Sequence, residues 1–64
     1  MELFVEYLRQ NNISAVWLAS QIGISKQAFY KKLNGRNCFN LRQALKLKEI
    51  LNLTWTEFYL FFSE

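Results

Sequence analysis

Gln27, Tyr30, Lys31 and Asn34 fall at i, i+3, i+4 and i+7, a spacing that puts all four on one face of a helix. Their side chains are hydrogen-bonding groups of a particular kind. Glutamine offers a donor and an acceptor together, which matches an adenine edge, and lysine donates to guanine or to phosphate. Tyrosine and asparagine bond phosphate, and a tyrosine ring also lies against a thymine methyl. Lys26, at the head of the same stretch, adds a second cation. This is the chemistry of recognition rather than of bond making.

Bond-making chemistry has little to draw on. The chain has no histidine, and its five acids, Glu2, Glu6, Glu49, Glu57 and Glu64, form no evident general acid–base pair. Ser14, Ser20, Ser25 and Ser63 lack a base to activate them. The single cysteine, Cys38, has no partner for a disulfide within the chain, and without histidine a Cys/His zinc site is not expected. Cys38 is expected instead to be a half-buried small residue in a turn. The expectation is a protein that is not an enzyme and needs neither metal nor cofactor.

Charge is segregated along the chain. Between Tyr7 and Lys48 there is no acid, and all eight basic residues lie there: Arg9, Lys26, Lys31, Lys32, Arg36, Arg42, Lys46 and Lys48. The net charge is only +3, so it is the separation of signs that points to an anionic partner. Nucleic acid is the commonest such partner for a small basic domain, and anionic lipid is the alternative. No apolar run approaches the roughly 18 residues that span a bilayer, and MELFVEYL carries acids where a signal peptide carries bases. A soluble, cytoplasmic protein is expected.

At 64 residues and 52% hydrophobic content, the chain has room for one domain (1–64) around one small core. Five helices can be placed. The first runs from Glu2 to Gln10, with Phe4, Tyr7 and Leu8 inward and Asn11-Asn12 as its stop. Ser14 caps a second, whose inward residues are Ala15, Leu18, Ala19 and Ile22, and Gly23 ends it. Ser25 caps a third over 26–34, which turns Phe29 and Leu33 to the core before Gly35 closes it. Asn40 with Gln43 opens a fourth, with Leu41, Ala44, Leu47 and Leu51 as its expected buried stripe. Thr54 and Glu57 form a capping box for the last, Trp55 to Phe62.

The stretch GISKQAFYKKLNG and its surroundings resemble the Cro/repressor helix-turn-helix family of phages and mobile elements. The matching residues are Leu18-Ala19, Gly23-Ile24, Phe29 and Leu33-Asn34-Gly35, followed by Asn40-Leu41 and the segment from Leu47 to Leu53-Thr54. The resemblance implies a compact all-α, five-helix bundle of the lambda-repressor-like type, with its helix-turn-helix at about 14–34. It implies a sequence-specific transcriptional regulator of a phage or mobile element, working in a bacterial host near the nucleoid. Its third helix would sit in the major groove of double-stranded DNA. Lys26, Gln27, Tyr30 and Lys31 become the base-reading residues. Ser25, Asn34, Arg36, Asn37, Asn40 and Arg42 become phosphate contacts, the last two beside the amide end of the fourth helix. Two positions depart from the family: Ala15 stands where glutamine often braces the backbone, and Lys32 stands where an apolar residue is usual.

WTEFYLFF holds more rings than a short helix can bury. Phe58 and Phe62 are expected to close the core, leaving Trp55, Tyr59 and Leu60 for a homodimer interface. Paired subunits read the paired half-sites of a palindromic operator. The alternative is a protein-binding antirepressor or inhibitor on the same fold, whose target is another regulator.

Overall fold

In the computed structural model, which describes residues 1–63, five helices follow one another: α1 (Glu2–Gln10), α2 (Ala15–Ile22), α3 (Lys26–Leu33), α4 (Leu41–Leu51) and α5 (Trp55–Phe62). No strand occurs among the described residues. The all-helical class and the helix order agree with expectation. Among the described residues no helix is long and apolar enough to cross a membrane.

One local device makes three of the connections: Asn12-Ile13-Ser14, Gly23-Ile24-Ser25 and Asn52-Leu53-Thr54. The first residue is left-handed, with φ of 54°, 77° and 53°, and ends the preceding helix. The second donates its amide to a carbonyl five residues back, Ile13 to Leu8, Ile24 to Ala19 and Leu53 to Lys48, at 2.9–3.0 Å. That bond satisfies an orphan carbonyl and folds the apolar side chain onto the core, against which Ile13 and Ile24 pack and within which Leu53 is buried. The third residue caps the next helix: Ser14 Oγ accepts from the Trp17 amide, Ser25 Oγ from Ala28 and Thr54 Oγ1 from Glu57, each at 3.1 Å. Stop, anchor and start are thus packed into three residues. At Gly23 an added Cβ would meet nothing within 4 Å, so backbone conformation rather than space requires the glycine.

The connection from α3 to α4 breaks this pattern. Gly35 is again left-handed at φ 82°, but the residue whose amide reaches back, to the Lys31 carbonyl, is the exposed Arg36 instead of an apolar anchor. Asn37 and Cys38 then intervene before Phe39 and the capping residue Asn40. A longer, exposed connection amid three economical ones is where function is expected to lie.

Phe4, Leu8, Leu18, Ala19, Phe29, Leu33, Leu47, Leu53 and Phe61 form the core. Phe4, Phe29, Leu18 and Leu47 are wholly buried, each stabilising the fold by roughly 1.5–3 kcal/mol on apolar transfer. Helix α2 packs most extensively on α3, while α1 meets α5 and α3, and α2 also meets α4. Rings carry the core from α3 to α5: Phe29 stands edge-on to Phe39 at 5.4 Å, Phe39 to Phe62 at 5.8 Å, and Phe62 lies 5.1 Å from Phe4.

Three expectations about burial need correction. Leu41 is 70% exposed. Three residues fall short of a full helical turn, so a 41/44/47 row spirals, and with Ala44 and Leu47 inward its first member lands at the edge. On α5 the buried ring is Phe61, which packs on Phe4 and Tyr7, while Phe58 and Phe62 are half-buried on its flank. Cys38 is exposed rather than half-buried, in a connection whose residues from Asn34 to Cys38 are all exposed.

Candidate nucleic-acid interface

Burial of Phe29 and Leu33 fixes the roll of α3. The residues on its opposite side, Gln27, Tyr30 and Lys31, with Asn34 at the C-cap, are all exposed. The structure therefore brings together three of the four expected base-reading side chains with one expected phosphate contact. Lys26 is exposed too, but a helix turns about 100° per residue, so it flanks this face beside Tyr30, four residues on. The Ser25 hydroxyl is engaged as an acceptor in the cap, which leaves its proton for a further acceptor. Helix α3 ends at Leu33, one residue before the expected end, so Asn34 sits in the cap with its side chain exposed.

Arg36 and Asn37 lie exposed in the α3–α4 connection, and Arg42 is exposed in the first turn of α4. Asn40 forms the capping box expected of it with Gln43. Its Oδ1 accepts from the Gln43 amide at 2.7 Å, and its own amide donates to Gln43 Oε1 at 3.1 Å. The capping box thus occupies the Asn40 backbone amide. The outward-facing donors at this helix end are the amides of Leu41 and Arg42 and the side-chain NH₂ of Asn40.

The eight cations divide by what they touch. Arg9 pairs with Glu6 on α1, and its guanidinium holds the exposed Glu6 carboxyl below the usual carboxylate range. Lys32 Nζ donates to the Cys38 carbonyl at 3.1 Å and lies 5.9 Å from the Phe39 ring centroid. The half-buried Lys32 is thus tied to the connection, at the position where an apolar residue is usual in the family the chain resembles. Lys48 Nζ sits 4.1 Å over the Trp55 ring. Lys26, Lys31, Arg36, Arg42 and Lys46 remain, exposed and without a side-chain partner among the described residues.

On α5, Trp55 and Tyr59 are 66% and 70% exposed and share one outward row, four residues apart. Leu60 is 48% exposed, but directly after Tyr59 it faces about 100° round the helix, so the structure does not join it to the same row. Exposed Leu41 lines the same groove as Tyr59, an apolar neighbour that the expectation of an unbroken α4 stripe conceals. The chain matches no described protein family, no curated protein and no solved structure.

Proposed function

We propose that this chain is a sequence-specific DNA-binding transcriptional regulator of the lambda-repressor-like helix-turn-helix type, from a phage or mobile element. In this reading α2 and α3 with the turn 23–25 form the helix-turn-helix, and α3 lies in the major groove of double-stranded DNA. One observation carries it. The face of α3 opposite Phe29 and Leu33 is a row of exposed hydrogen-bonding side chains, and the cations without a side-chain partner among the described residues are carried by α3, the following connection and α4. Gln27 and Lys31 meet base edges, with Lys26 and Tyr30 beside them. Ser25, Asn34, Arg36, Asn37, Arg42 and the Asn40 side chain hold phosphates. The site of action is the nucleoid of a bacterial host, in the cytoplasm.

Random-site selection followed by electrophoretic shift tests this. Recovery of one enriched, two-fold related sequence is the expected result. An unselected pool after several rounds, with the folded protein present, points to the protein-binding antirepressor instead.

The dimer in this proposal forms through the outward row of α5, Trp55 and Tyr59, with Leu60 at its border. Sedimentation equilibrium is expected to give a dimer at micromolar concentration that Tyr59→Glu converts to monomer without loss of helicity. A wild-type monomer at high micromolar concentration, with and without DNA, removes this part of the proposal.

A further inference from the structure

We infer that the groove between the α3–α4 connection and α5 is a binding site for a small monocarboxylate with an apolar body. The groove has a volume of about 570 Å³, inside the roughly 300–1,000 Å³ range of small-molecule sites. Its walls include Phe39, Leu41, Phe58, Tyr59 and Phe62, and Lys32 is the cationic side chain among them. Among the described residues lining it there is no acid. An apolar wall with the Lys32 ammonium set into it, and Met1 also at its edge, fits a ligand that is apolar along its length and anionic at one end.

Lys32 is the residue that makes the site specific. Its α3 position flanks the core, where an apolar side chain would pack without cost, yet a lysine stands there. Its Nζ is held at the groove wall by the Cys38 carbonyl at 3.1 Å and by the Phe39 ring. An ammonium has three donors, so this bond leaves two for a carboxylate. The wall that holds it belongs to the one connection that departs from the three-residue turn used elsewhere. The groove shares Asn37 with the proposed phosphate contacts and Tyr59 with the proposed dimer row, so the test is made without DNA and over a range of protein concentrations.

The test is titration of the full chain, without DNA, with 2-naphthoate and with its neutral analogue 2-naphthylmethanol, followed by heteronuclear NMR. Saturable shifts centred on Lys32, Phe39, Leu41 and Phe58 are expected, with about tenfold preference for the acid, as one charge-assisted hydrogen bond provides. Lys32→Met should remove most of the preference for the acid, and Lys32→Arg should keep it. Leu41→Asp, at an exposed position, should weaken the acid more than the alcohol while leaving the fold intact. Equal wild-type affinities, or shifts confined to another surface, overturn the proposal. So do groove shifts that follow protein concentration alone and ignore 2-naphthoate, which would make the occupant a second copy of the chain.

Discussion

Phe29→Ala is expected to remove about 3–5 kcal/mol of stability, far more than substitution of any exposed side chain on the same helix. The ring is wholly buried, joins the core directly to Phe39, and sets the roll of α3. A chain of 64 residues has in total about 3–10 kcal/mol to lose. The variant should therefore lose about a third or more of its stability, seen as a urea transition displaced to much lower concentration or, at the low end of that range, as loss of helical circular dichroism at 25 °C. Tyr30→Ala, one residue along and 43% exposed, should change stability by less than about 0.5 kcal/mol. A Phe29→Ala protein that melts within about 1 kcal/mol of wild type would mean that α3 is positioned by something other than this contact.

Salt should have the second large effect. Five cations, Lys26, Lys31, Arg36, Arg42 and Lys46, are exposed without side-chain partners, whereas Arg9, Lys32 and Lys48 are engaged within the fold. A dimer that brings most of the free ones to phosphate makes roughly 6–10 contacts and loses about 10³–10⁵-fold in affinity between 50 and 200 mM salt. Lys48 lies over Trp55, so Lys48→Ala should leave the slope of log affinity against log salt unchanged, while Arg42→Ala should lower it by about one unit per protomer. A duplex affinity that ignores salt contradicts the DNA reading and favours a protein partner.

The helices are legible in the sequence because their ends are written in local chemistry. Ser14, Ser25, Asn40 and Thr54 each accept the capping bond expected of them, and Gly23 and Gly35 adopt the left-handed backbone expected of a stop. The outward face of α3 is legible because two apolar residues four apart decide its roll. What the sequence hides is tertiary. Phe39 gives no periodic signal in its loop, and only its place just before the capping Asn40, where an apolar anchor is common, marks it as a core-facing ring. Phe61 is hidden because Phe58 and Phe62, four apart, look like a complete face by themselves. The recurring Asn/Gly-Ile/Leu-Ser/Thr turn is visible in the sequence once the bonds from Ile13, Ile24 and Leu53 show what it does. Lys32 stands out only as a departure from the resemblance because its partner, the Cys38 carbonyl, belongs to the backbone and has no letter of its own.

The central claim is that α3 reads bases while the connection after it holds the backbone, and Gln27 and Arg36 separate the two roles. Both are exposed, so neither substitution should disturb the core. The measurement is the affinity of wild type, Gln27→Ala and Arg36→Ala for the selected site and for every single-base variant of it. Gln27→Ala should cost about 1–3 kcal/mol and flatten the preference at one base pair in each half-site. Arg36→Ala should weaken every sequence alike and lower the salt slope by about one unit per protomer, with the preference profile kept. A Gln27→Ala profile identical to wild type, together with an Arg36→Ala profile that is reshaped, would contradict the placement of α3 in the groove.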